Sequence, residues 1–325
     1  MATTEIATLG AATMRIGLNI NQSAGGGRPA TVDQVIDEVA SAAERGFASG
    51  ALAQLSGIDA LTLIALAGRV VPGIELQTAV VPIYPRHPTA LAQQALTVNA
   101  AIGGRLVLGI GLAHKPVVEQ RWGMSFERPV AYMREYLAIL MPLLRGEAAD
   151  FKGARLTGQQ QLSFAEAPAP TVLLAALGEH MLRLAGAHTD GTSLWMVGPR
   201  TLADHITPTI TRAAEQAGRP APRIVAGLPI CVTSDVPAAR ERAARSLANY
   251  NRLPSYRAML DREGVDGPGD VLIAGSEDAV DRELARLADA GATEFLASPL
   301  GSSDDRRRTA EFLNARIADA RRTAV

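Results

Sequence analysis

Three places in this chain combine residue types that could do chemistry with a position at the end of a strand. The first is the loop IYPRHP, 83–88, which follows the apolar run 74–81 and offers a phenol, a guanidinium and an imidazole at Tyr84, Arg86 and His87. Pro82, Pro85 and Pro88 have no N–H to give to a sheet, so the strand is expected to stop near Val81. The second is His114 in LGIGLAHKPVVE, behind Gly109 and Gly111. A ligand could approach that glycine backbone closely, and the ring could donate a hydrogen bond or a proton. The third is AALGEHMLRLAG, 175–186, which passes from a buried strand through Gly178 into a helix. The backbone N–H groups of Gly178, Glu179, His180 and Met181 would point out of that helix start, where with the helix dipole they suit a phosphate. The same form occurs at strand-to-helix junctions that bind nothing. Gln54 closes a shorter run, and Trp195 with Met196 closes another. Each stands where a planar ring could be contacted, although Trp and Met also serve as core filler. His87 directly precedes the helix-starting Pro88, which favours a structural role for it.

These residues need a scaffold that gathers strand ends, and the hydrophobic pattern supplies one. Short apolar runs bounded by turn residues fall at 15–20, 51–54, 74–81, 106–110, 172–176, 192–197, 224–232 and 294–298. Helical patterns separate most of them, at 32–45, 89–101, 129–145, 181–187, 201–217 and 277–290, the first opening on the capping-box pair Thr31 and Gln34. Runs such as LVLGI and VLLAA are continuously apolar, as expected of parallel strands covered on both faces. The fold class predicted is therefore α/β, a (β/α)8 TIM barrel with a parallel sheet, in which ligands meet the carboxyl ends of the strands. A single domain over 1–325 carries two excursions. One is polar and Gly-rich, a small insertion at 147–170; the other is a helical insertion at 236–270, placed where it could act as a lid.

Composition narrows the chemistry. With 47% hydrophobic residues, 20% charged and a net charge of -1, the chain carries enough apolar material for one large core and no electrostatic footprint for nucleic acid or an anionic membrane. No apolar run approaches the roughly 18 residues of a membrane span, and the amino terminus lacks a basic-then-apolar leader, so a cytoplasmic location is expected. The single cysteine, Cys231, lies in the apolar run IVAGLPICVT as a small hydrophobe, which leaves disulfides out. Histidines at 87, 114, 180, 188 and 205 show no paired ligand spacing, so no metal site is expected. Walker, HExxH, GxSxG and GxGxxG motifs are all missing.

At the segments AVVPIYPRHPTALAQQALT, GGRLVLGIGLAHKPVVE, WGMSFERPVAYMREYL, AALGEHMLRLAG and DGTSLWMVGPRTL the sequence resembles the bacterial luciferase-like superfamily, and within it the coenzyme F₄₂₀-dependent oxidoreductases. The match covers most of residues 15–215, with weaker similarity in GSEDAVDRELARLADAGATEF. The resemblance implies a tricyclic ring bound at the carboxyl face of the barrel. It implies a non-prolyl cis peptide at the end of the third strand, at Ala79-Val80 or Val80-Val81, set against the ring. It also implies ring or phosphate contacts from Gln54, Ala79, Val80, Val81, Ala176, Gly178, Glu179, His180, Met181, Trp195 and Met196.

Two departures redirect the chemistry. Sugar-phosphate and alcohol dehydrogenases of the superfamily place Asp-His at the end of the second strand, where this chain has Gln54-Leu55. The carboxylate that the sugar-phosphate enzymes use after the fourth strand is replaced by His114. Without a base at Leu55, reduction of a C=C, C=N or C=O bond in a small, mainly apolar substrate is expected, with hydride from the reduced deazaflavin and a proton from His114 or solvent. FMN-dependent monooxygenation is the alternative cofactor reading, and a cofactor-free binding protein on the same fold a second alternative. The resemblance also implies a homodimer.

Overall fold

The computed structural model describes residues 14–323 except 21, 24–27, 55 and 164–167. Its parallel strands are β1 Arg15–Asn19, β2 Ser49–Leu52, β3 Glu75–Thr78, β4 Leu106–Gly111, β5 Thr171–Leu174, β6 Gly191–Trp195, β7 Arg223–Val232 and β8 Glu294–Pro299. Each pairs with the next, and β8 pairs back onto β1, closing an eight-stranded barrel. The helices that cover it are α1 Val32–Glu44, α2 Ala60–Val70, α3 Pro88–Ala101, α4 Pro129–Leu144, α5 Glu179–His188, α6 Thr207–Gln216, α7 Val236–Ser246, α8 Pro254–Glu263, α9 Glu277–Asp289 and α10 Ser303–Thr323. All eight predicted strands are present, and the Thr31–Gln34 capping box starts α1.

Alternation along the strands sorts side chains between two cores. Ala51, Val107, Leu173, Val225 and Leu296 meet inside the barrel, while Leu76, Leu108, Val172 and Ile224 belong to the larger core between strands and helices. The amino end of the barrel is closed by a polar plug. The fully buried Glu294 carboxylate accepts hydrogen bonds from Ser49, from Gln77 Nε2 at 3.2 Å and from Arg223. Arg223 also pairs with Glu75 at 2.9 Å, and Arg15 with Glu75 at 2.5 Å. Polar residues close this end, leaving the carboxyl end for ligands.

Both insertions form compact units. The first is an antiparallel hairpin, Ala149–Lys152 with Thr157–Gln160. The second comprises α7, a 3-10 turn Ala248–Arg252 and α8, after which a short strand Ile273–Gly275 lies along β7.

Two expectations change. The run 74–81 is two strands, because β3 ends at Thr78 and pairing resumes only at Val81–Pro82 against Ile110 and Gly111. Pro82 belongs to that second pairing, although a proline there was expected to end it. Ile83 N–H donates to Gly111 O at 3.0 Å, so the ladder does not require the N–H that Pro82 lacks. In addition, α2 was not anticipated: ALTLIALAGRV is apolar nearly all round, which hides a helical period.

Candidate active site

The break in β3 builds one side of the barrel mouth. Thr78 Oγ1 donates to Gly109 O at 2.7 Å, Ala79 N–H donates to Leu52 O at 2.9 Å, and the Ala79-Val80 peptide is cis. Two glycines of β4 make room for this bulge. A Cβ on Gly109 would lie 2.0 Å from Thr78 O, and one on Gly111 would lie 2.7 Å from a Val80 methyl. The sequence reading reserved that space for a ligand, but Thr78 and Val80 fill it. Ala79 and Val80 remain half-buried at the mouth, whereas the next side chain along, Val81, is buried in the outer core.

The same alternation turns Ala176 and Met196 into the outer core, at 2% and 1% exposure, so neither side chain reaches the mouth. Met196 does mark its rim. Its φ of 58° and the 61° of Ala113, at the ends of β6 and β4, are left-handed values that L side chains seldom adopt, and such strain gathers at binding sites.

Across the mouth, α5 begins at Gly178 with no side-chain cap. By contrast α1, α2, α3, α7 and α9 are capped by Thr31, Asp59, His87, Asp235 and Ser276. The amides of Gly178, Glu179 and His180 are exposed and have no partner among the described residues, and a Cβ on Gly178 would meet nothing within 4 Å. The Met181 amide departs from expectation, donating to Gly178 O at 3.0 Å. Three amides therefore converge on open space at the positive end of a helix dipole, the electrostatics of an anion site.

His114 is half-buried, and its backbone carbonyl starts the next helical turn by accepting from Val117 at 2.8 Å and Val118 at 3.0 Å. Its ring has no hydrogen-bond partner among the described residues. Burial holds its pKa below the ordinary 6.5, which favours the neutral ring. Trp195, at the end of β6, packs against Gly227 of β7, and its buried indole N–H interacts with the Tyr250 phenol. Gln54 is committed elsewhere: its Nε2 donates to Asp59 at 3.1 Å and its Oε1 accepts from Ala60 N–H at 3.2 Å, so it braces α2. Leu55, expected where relatives carry a base, lies outside the described residues.

The loop 83–88 is structural throughout. His87 Nδ1 caps α3 through Thr89 N–H, and its Nε2 lies 3.1 Å from Thr157 O in the hairpin. Arg86 pairs with Asp59 at 2.5 Å, and Tyr84 stacks on Tyr132 with centroids 4.6 Å apart. The Arg155 guanidinium covers the Tyr132 ring at 5.2 Å, and burial pushes the Tyr84 phenol up to about 12. In this way the hairpin insertion clamps the loop below the bulge.

Sequence reading missed two site residues, Tyr250 and Tyr256. Their rings bridge His114 and Trp195 from the helical insertion. A faint signal existed: the chain has five tyrosines, and two of them lie six residues apart in YNRLPSY, within the helical insertion and outside the predicted barrel core.

The arrangement is a barrel mouth with three unpartnered amides on one rim and an aromatic wall on another. The family model for luciferase-like monooxygenases matches residues 5–316, and the chain belongs to that family, which makes it an enzyme of the oxidoreductase class. It is 29% identical over 247 residues to a Mycobacterium tuberculosis protein provisionally named a coenzyme F₄₂₀-dependent oxidoreductase, covering 72% of this chain and 70% of that one. The solved structure of the coenzyme F₄₂₀-dependent tetrahydromethanopterin reductase of Methanopyrus kandleri superposes with a TM-score of 0.75 at 19% identity, covering 93% of this chain and 97% of that one. The FMN-bound oxygenating constituent of 3,6-diketocamphane monooxygenase from Pseudomonas putida superposes with a TM-score of 0.74 at 19% identity, covering 93% and 96%. At 19% identity the two solved structures show that the fold is shared. Among the described residues no helix is long and apolar enough to cross a membrane.

Proposed function

We propose that this chain is an F₄₂₀-dependent reductase of small, mainly apolar molecules bearing a C=C, C=N or C=O bond. The observation that carries the reading is the uncapped start of α5 at the barrel mouth, where three free amides face open space. A phosphate-bearing ring cofactor fits what is there: Gly178, Glu179 and His180 would hold the phosphate, while Ala79, Val80 and Trp195 would line the ring. When bound, the reduced deazaflavin supplies a hydride.

The protein's own part is to orient and to exclude water. His114, kept neutral by burial, would hold the substrate's oxygen or nitrogen by a ring N–H hydrogen bond, with the proton drawn from solvent. No side chain at the described mouth is an evident base for oxidising an alcohol, and Gln54 is spent on α2, which supports the reductive direction. The helical insertion is read as a lid, and the chain as half of a homodimer, which a light-scattering mass of about twice 34.1 kDa would bear out.

Equilibrium titrations with F₄₂₀ and with FMN test the cofactor. Saturable F₄₂₀ binding, lost when the start of α5 is altered, is the expected outcome. A protein that instead purifies yellow with FMN and consumes oxygen when reduced would be a monooxygenase.

A further inference from the structure

We propose that Tyr250 and Tyr256 form the acceptor-side wall of the site and restrict it to flat, uncharged, unsaturated rings. This rests on the reductase reading above, and it assigns specificity to an insertion that the barrel itself does not need.

The wall is continuous. From the end of β4 to the end of β6 the rings run His114, Tyr256, Tyr250, Trp195, with centroids 5.8, 4.9 and 6.3 Å apart and successive planes inclined at 59°, 78° and 59°. In the barrel β5 lies between β4 and β6, so this arc passes over the end of β5 and the approach to Gly178.

The backbone beneath the tyrosines is fixed, while the rings are tied only to one another and to Trp195. Arg257 donates to Asn251 Oδ1 at 2.7 Å, to Asp266 O at 2.7 Å and to Val265 O at 2.8 Å, locking the 3-10 turn to α8. The Glu263 carboxylate then docks α8 on the barrel by accepting from Thr201 N–H at 2.8 Å and Arg200 N–H at 3.1 Å. The Tyr256 phenol makes no hydrogen bond to a described residue, and the Tyr250 phenol interacts with the Trp195 indole N–H inside the wall itself, so no hydrogen bond from outside the arc holds the rings in place.

The arc contains no formally charged group apart from a histidine that burial keeps neutral, so an anionic acceptor finds no counter-charge in it. Inclined aromatic faces favour a planar π system, and the Trp195 N–H with the Tyr250 phenol puts a polar edge at one end of the arc for a carbonyl oxygen.

Trp122→Phe leaves Trp195 as the sole tryptophan, because the chain has two. In that background 2-cyclohexenone should change Trp195 emission saturably, and sorbate, conjugated but anionic, should bind at least tenfold more weakly. Tyr250→Leu and Tyr256→Leu keep apolar bulk without a flat face, and should each weaken enone binding about tenfold, whereas the Phe variants stay within twofold. With reduced F₄₂₀ the Leu variants should raise KM by the same factor, change kcat less than threefold and leave F₄₂₀ affinity unaltered. The wall is overturned if the Leu variants bind the enone like the parent, if sorbate binds equally well, if F₄₂₀ affinity falls in step, or if neither the free nor the F₄₂₀-loaded protein responds to the enone. Because the fluorescence titration needs no cofactor, enone binding without F₄₂₀ binding sinks the cofactor reading and spares the wall, and the reverse sinks the wall alone.

Discussion

A histidine withdrawn from water resists taking a proton, and that shapes what His114 can do. Its pKa lies below 6.5, so at neutral pH the ring is an N–H donor and not a ready acid. The unfolded chain takes up this proton first as pH falls, so the stability linked to His114 is complete above 6.5 and is lost on descent through the depressed folded value. Thermal melts between pH 7 and 5 should show a fall in Tm that His114→Asn makes shallower; equal slopes would contradict it. Gly178 allows a second test. Its φ of -83° and ψ of 151° suit any residue, and an added Cβ meets open space, so Gly178→Asp should cap α5 and add a few tenths of a kcal/mol. The same carboxylate would occupy the free amides and repel a phosphate. F₄₂₀ affinity should therefore drop at least tenfold while Tm holds or rises; unchanged affinity would remove the anion site. The uncapped start at Gly178 was legible in the sequence because a glycine between a buried strand and a helix brings no side chain to cap the first amides. Gln54 was misjudged because its spending on Asp59 depends on how α2 starts, and α2 itself was not foreseen.

At the scale of elements, the bulge after β3 and the glycines of β4 are one device. Gly109→Ala would set a methyl 2.0 Å from Thr78 O, backbone that cannot yield without moving the bulge, and should cost at least about 1–3 kcal/mol. Chemical denaturation measures that loss, and Val80→Ala in the same chain should recover little of it, since the nearest clash is with Thr78. The eight strands were legible because each is a short apolar run with turn residues at its ends, a pattern that burial on both faces imposes. The gap inside the third run was not, since Ala79 and Val80 are as apolar as their neighbours and only pairing with β4 reveals it. The two tyrosines escaped for a related reason: the insertion was visible as a break in rhythm, but where it folds back is set by Glu263 docking on the amides of Arg200 and Thr201, more than sixty residues earlier in the chain.

For the whole molecule, the plug at the amino end gathers a buried carboxylate and its arginines, a network with no counterpart among the rings at the mouth. Burial would raise the Glu75 carboxyl, but the Arg15 hydrogen bond and the Arg223 and Arg15 charges outweigh it and hold its pKa below 4.5. Its contribution is therefore present above 4.5 and fades as pH falls through the depressed value, a window more acidic than that of His114. Arg223→Met should leave the buried Glu294 carboxylate with only Arg15 Nε, 3.8 Å away, as a cation and cost about 3–5 kcal/mol in a urea melt, with F₄₂₀ affinity per folded molecule unchanged. A matching loss of affinity would mean that the two ends of the barrel are coupled.

That separation has an evolutionary consequence. The groups that fasten β1, β3, β7 and β8 to one another sit a barrel's depth away from Val80, His114, Trp195 and the two tyrosines. Substitutions in the insertion's rings can then accumulate without touching the ion pairs that fasten these strands. Lineages descended from such a scaffold are free to exchange acceptors by rewriting the insertion alone.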